Sequence, residues 1–200
     1  MFKNINHNLN IIAVSKTHSM NDILPLIQSG HKHYGENKVQ EAIDKWSEIK
    51  LKKQNINLHL IGKLQTNKVK FAVKLFDYIH SVDSEKLARK ISDESLKLNK
   101  KIKIFIQVNI GNESQKSGVN KNELSNLVNY CLTLNLELIG LMCIPPEGHD
   151  STNYFKEMKD LNHNFNLSDL SMGMSGDYLK AVENSSTFLR IGSSIFGQRP

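Results

Sequence analysis

The chain has 200 residues, of which 39% are hydrophobic and 23% charged, the proportions of an ordinary globular protein; one domain of this length buries roughly 70% of its unfolded surface. Its net charge of +6 comes from lysines scattered among Glu and Asp, and aromatics make up only 7%, a pattern of solvated faces that argues against a nucleic-acid footprint. No apolar stretch reaches membrane length and no basic start leads into a signal-type core, so a cytoplasmic protein without a membrane partner is expected, while Cys131 and Cys143 form neither a CxxC pair nor a disulfide framework.

The first element is the run NIIAVSK at 10–16, an apolar strand that ends in the ammonium group of Lys16. Strand-like runs recur at 33–37 (HYGEN), 58–62 (LHLIG), 78–82 (YIHSV), 103–110 (KIFIQVNI), 137–144 (ELIGLMCI), 169–173 (DLSMG) and 188–192 (FLRIG). Helical patterns lie between them. In 84–98, Leu87, Ile91 and Leu98 share a face, and Asp83 or Ser84 is placed to cap the start. In 121–134, Leu124, Leu127, Val128 and Cys131 follow i, i+3, i+4, i+7 spacing.

The stretch 102–110 is apolar at nearly every position, as a parallel strand buried on both faces would be. Eight strands alternating with helices point to an α/β fold, a (β/α)₈ TIM barrel in a single domain spanning 1–200. The few residues after the eighth strand leave no room for a full covering helix. A loop, IPPEGHD at 144–150, is the main interruption.

In such a barrel Lys16 stands at the C-terminal end of the first strand, the face that carries chemistry. A lysine beside a packed core is partly desolvated, which lowers its pKa and frees the amine as a nucleophile; a solvated loop lysine is the plainer reading of the residue by itself. SMGMSGD at 171–177 and RIGSSIFG at 190–197 follow strands seven and eight, where phosphate sites recur in this fold. Their glycines permit close backbone approach, and their serines add hydroxyls. A lysine amine opposite a phosphate cradle suits pyridoxal 5'-phosphate, which has an aldehyde for a Schiff base and a phosphate.

The strings AVSKT, YGENKVQEA, LHLIGKLQTNK, VNIGNESQKSG, IGLMCIPP, LSMGMSGDY and RIGSSIFGQR, in order along nearly the whole chain, resemble the pyridoxal phosphate homeostasis protein family. That family is similar to the N-terminal barrel of alanine racemases without the second domain. The resemblance implies a cofactor-binding protein with pyridoxal 5'-phosphate on Lys16 as a Schiff base, Arg190 facing the pyridine nitrogen, and Gly192 and Ser193 on the phosphate. Ser171 and Ser175 both lie in the motif that supplies a phosphate-binding hydroxyl. Asn37 and His59 fall in motifs lining the mouth; a satisfied core histidine is the alternative for His59. The chain is expected to act as a monomer that keeps the cofactor available and meets cofactor-dependent apoenzymes transiently.

A cation at the pyridine nitrogen disfavours its protonation, so the ring becomes a weak electron sink. A racemase or lyase of the same cofactor is the alternative reading, although racemisation needs a second acid/base group that alanine racemases draw from their second domain. A metal-dependent hydrolase would instead use His31, His33, His59 or His80; HKH at 31–33 reads more simply as two surface histidines. GKLQTNK at 62–68 lacks P-loop spacing. The chain departs from the family pattern in three places: a short extension stands before the first strand, Lys63 where histidine is common, and Cys143 where threonine is common.

Overall fold

The computed structural model describes residues 9–52 and 55–198; most of the extension before the first strand, and Arg199, lie outside them. Eight strands form one closed, all-parallel barrel in sequence order. They are β1 (Asn10–Val14), β2 (His33–Glu36), β3 (Asn57–Leu60), β4 (Tyr78–Val82), β5 (Lys103–Val108), β6 (Glu137–Cys143), β7 (Asp169–Met174) and β8 (Phe188–Ile191). The helices are α1 (Met20–Gln28), α2 (Val39–Lys52), α3 (Val69–Leu75), α4 (Glu85–Lys97), α5 (Leu124–Leu132), α6 (Thr152–Asn164), α7 (Tyr178–Glu183) and α8 (Ser193–Phe196). The barrel expected from the eight apolar runs is therefore the observed one. The last helix is a single turn.

Helix starts follow their local chemistry. Ser19 and Asp22 form a reciprocal capping box on α1, and the Leu87 N–H donates to the Ser84 hydroxyl at 3.4 Å, so Ser84 rather than Asp83 caps α4. Leu124, Leu127, Val128 and Cys131 of α5 are buried as their spacing requires. In α4, Leu87 and Ile91 are buried, whereas Leu98 falls at the C-cap beyond the last full turn and is 42% exposed, so it does not join their face.

Strand alternation sorts side chains into two layers. One set, including Leu58, Leu60, Ile104, Ile106, Leu170 and Leu189, points outward and packs under the helices in the main core. The other fills the barrel interior with Ile12, Tyr78, Phe105, Met142 and Phe188. By the same alternation His33, His59, His80, Ser171 and Arg190 point inward. At Gly35 on β2 a Cβ would come within 2.8 Å of Ile12 Cγ2, so a bare backbone is what lets the interior pack there. Closure pairs Ile12 with Arg190, which sets the start and the end of the chain side by side.

Candidate functional site

A cleft of about 280 Å³ opens at the C-terminal end of the barrel. Lys16, Asn37, Ser175, Arg190, Gly192 and Ser193 all line it. Residues 159 or more apart in sequence, such as Lys16 and Ser175, thus meet through barrel closure. Its described lining holds two basic side chains, Lys16 and Arg190, and no acidic side chain. Such a site carries a positive field in a low-dielectric wall, the electrostatics of an anion receptor.

The turn bearing Lys16 is held from beneath. Thr17, the next residue, has φ of 66°, a left-handed conformation that costs a β-branched residue about 1–3 kcal/mol unless the surroundings enforce it. They do so through Glu41, whose carboxylate accepts the Thr17 N–H, and through Lys45. Lys45 Nζ donates to the carbonyls of Ser15 at 2.8 Å and His18 at 3.4 Å, one on each side of Lys16. Its charge is met by Glu36 at 2.7 Å and Glu41 at 2.9 Å. The fully buried Glu36 Oε1 also accepts from the Ser15 hydroxyl at 2.8 Å and Trp46 Nε1 at 2.9 Å. Partial burial opposes ionisation of Glu41, but the bonds from Lys45 and the Thr17 N–H outweigh it and hold its carboxyl below the ordinary value.

Arg190 reaches the cleft from β8 with only 4% of its surface exposed. Its partners are neutral: Nη1 donates to the Ser171 carbonyl at 2.7 Å and hydroxyl at 2.8 Å, and Nη2 to the Cys143 carbonyl at 2.8 Å. His59 is not where the mouth-lining expectation puts it. It is fully buried inside the barrel, stacked on Tyr78 at 4.1 Å, with its ring nitrogens 2.9 Å from His33 and His80, because its position on β3 faces the interior below the mouth. Ser171 also lies below the cleft, fully buried against Arg190, so of the two serines only Ser175 lines it. His33 is not a surface histidine either; it is half-buried and joins this interior cluster. Burial first, then the neighbouring charge of Arg190, holds His80 well below the ordinary histidine range, and burial with the adjacent histidines does the same for His59. Burial lowers His33 to about 4.

A family model described as alanine racemase, N-terminal domain, matches residues 2–200. A pyridoxal phosphate homeostasis protein of Aquifex aeolicus is 39% identical, covering 94% of this chain and 86% of its own length. One from Vibrio cholerae is 37% identical, with 94% and 85% covered. The chain belongs to the pyridoxal phosphate homeostasis protein family. Among solved structures, PipY of Synechococcus elongatus, solved with PLP bound, superposes with a TM-score of 0.86 at 33% identity over 97% of this chain and 95% of that one. An alanine racemase of Clostridium difficile shares the fold, with a TM-score of 0.77 at 14% identity, and this chain spans 54% of it.

Within this family member, Glu36, Glu41 and Lys45 support the Lys16 turn from outside the cleft lining, and motif reading did not single them out. Glu36 and Glu41 lie inside the string YGENKVQEA, so the signal was present. Lys45 carries none, being one lysine among many on a helix.

Proposed function

We propose that this barrel binds pyridoxal 5'-phosphate in the mouth cleft, on Lys16, and holds it in a cytoplasmic pool for apoenzymes rather than turning over a substrate of its own. The cofactor supplies an aldehyde that condenses with a lysine amine, and a dianionic phosphate. One observation carries the reading: a single cleft gathers a strand-end lysine, a second buried cation and two glycine-serine turns, with no carboxylate among its described lining.

The residues fit that group. A Cβ at Gly176 would meet nothing within 4 Å, and one at Gly192 only ordinary contacts near 3.5 Å, so the turn backbones leave space for a phosphate. Ser175, Gly192 and Ser193 would hold the phosphate. Buried Asn37 Oδ1 has no partner among the described residues and offers an acceptor to an O–H or N–H of the bound molecule. Arg190 would lie toward the pyridine nitrogen and disfavour its protonation, which restrains chemistry on the ring. That PipY was solved with PLP bound supports the assignment. Two buried free cysteines suit a reducing compartment.

Borohydride reduction of the PLP-supplemented protein followed by peptide mapping tests this reading. A reduced adduct on the peptide bearing Lys16, absent from Lys16→Ala, is expected. A folded, PLP-supplemented protein with no adduct at Lys16 overturns it, and measurable racemisation of free amino acids would overturn the holding role.

A further inference from the structure

Five inward-facing residues make a continuous hydrogen-bonded line through the barrel. It runs from His33 Nδ1 to His59 Nε2 at 2.9 Å, from His59 Nδ1 to His80 Nε2 at 2.9 Å, from His80 Nδ1 to Ser171 Oγ at 2.8 Å, and from Ser171 Oγ to Arg190 Nη1 at 2.8 Å. His59, His80 and Ser171 are fully buried.

Arg190 fixes the direction of the line. A guanidinium only donates, so Ser171 Oγ accepts from it and has its own O–H to give. The acceptor within reach is His80 Nδ1. His80 must then carry its proton on Nε2 and donate it to His59 Nδ1; His59 in turn donates from Nε2 to His33 Nδ1, and the last N–H faces outward at half-buried His33. Each ring is neutral and every nitrogen between Ser171 and His33 is satisfied. The opposite order would press a second donor onto Ser171 Oγ and leave its buried O–H without an acceptor, an arrangement proteins avoid.

A run of dipoles aligned this way turns its acceptor end toward Arg190. We propose that the histidine line stands in for a carboxylate counter-ion: it stabilises and aims the buried guanidinium while leaving its full charge to act on the mouth cleft. His59 and His80 are thus positioning residues for Arg190, a role that rests on the reading of that cleft as the ligand site. Rigid stacking supports it, since His80 lies on Phe105 at 4.3 Å and His59 on Tyr78, so neither ring can turn without breaking a contact.

Nitrogen-15 NMR of the imidazoles in the ligand-free protein at neutral pH reads the line without reference to the cofactor. Protonated Nε2 and bare Nδ1 are expected at His59 and His80, with a scalar coupling across the His80 Nε2 to His59 Nδ1 bond. Nδ1–H tautomers, or an imidazolium at either ring, overturn the proposal. The second arm exploits geometry: an Asn amide at 80 occupies the Nδ1 position facing Ser171, whereas a Gln amide occupies the Nε2 position facing His59. His80→Gln is expected to weaken PLP binding about tenfold more than His80→Asn and to shift the pH titration of the visible absorbance band further. Equal effects of the two substitutions overturn the positioning role. Absence of any adduct on Lys16 in the wild-type chain would instead refute the cofactor reading, leaving the tautomer result to stand by itself.

Discussion

Mild acid should unfold this barrel through its interior histidines. His59 and His80 are fully buried, and burial holds their pKa well below the 6.5 of an exposed ring, so the folded protein keeps them neutral where the unfolded chain protonates them. The unfolded state then binds more protons than the folded one, and stability rises with pH; equivalently, it is intact above 6.5 and is lost as pH falls. At pH 5 an unfolded histidine is about 30 times more protonated than neutral, which costs about 2 kcal/mol for each ring the fold keeps neutral. His33, lowered to about 4 and half-buried, adds about 1 kcal/mol after solvent screening is discounted, and its share stops growing below that pH. The sum, about 5 kcal/mol between pH 7 and 5, is as large as the whole stability of many domains. Carboxylates titrate lower and contribute little in this window. Urea unfolding followed through Trp46, the single tryptophan and fully buried, measures it at pH 7, 6 and 5. His80→Phe, which keeps an aromatic ring against Phe105, should flatten the slope by about 2 kcal/mol. A wild-type fall of less than about 2 kcal/mol over the window would refute the neutral-ring account.

Lys45→Met should leave the buried Glu36 carboxylate without its cation and cost about 3–5 kcal/mol in urea unfolding; in whatever protein folds, borohydride labelling at Lys16 should drop, because the two lysine bonds to the carbonyls flanking Lys16 are gone. Gly62→Ala places a Cβ 2.3 Å from the Asn37 carbonyl oxygen, so a loss of about 1–3 kcal/mol together with weaker PLP binding is expected by thermal melting and absorbance titration. Burial pushes the thiols of Cys131 and Cys143 up to about 12, so neither of the two should react with a disulfide reagent in the native protein and both should react once it unfolds.

The barrel was legible because buried parallel strands write themselves as short apolar runs, and each of the eight observed strands begins within one residue of its run. Lys16 was legible as a strand-end charge in an otherwise apolar element, Arg190 only through the family motif RIGSSIFGQR, and the two glycine-serine turns as breaks after strands seven and eight. The histidine line was not. His33, His59, His80 and Ser171 sit on four strands, and their contacts span 26, 21 and 91 residues, so only the register of a closed barrel brings them together. HKH at 31–33 read as surface histidines because a residue at the very start of a strand gives no sign of which face it takes until the neighbouring strand is placed. Leu98 failed for a different reason: apolar spacing continued past the residue at which α4 ends, and beyond the cap the face no longer exists.

The partly buried Lys45 and the buried Arg190 near the mouth are treated in opposite ways, and the contrast bears on what the cleft is for. Lys45 is surrounded by Glu36 and Glu41, so its charge is cancelled locally and its hydrogen bonds serve to shape the Lys16 turn. Arg190 is given carbonyls and a hydroxyl, which satisfy its donors without cancelling its charge. Burying a cation with no carboxylate in ion-pair contact among the described residues is costly, and nothing about the fold of β8 demands an arginine at an inward position that a leucine would fill. The cost is intelligible if the charge is itself the functional quantity, a fixed positive field at one end of a cleft whose other basic group is an amine that attacks in its neutral form. Ser171→Asp would convert the Arg190 environment into that of Lys45, neutralising the guanidinium in place. It should weaken the binding of an anionic ligand while the barrel remains folded, and tighter binding in that variant would show that the field of Arg190 is not what the cleft uses.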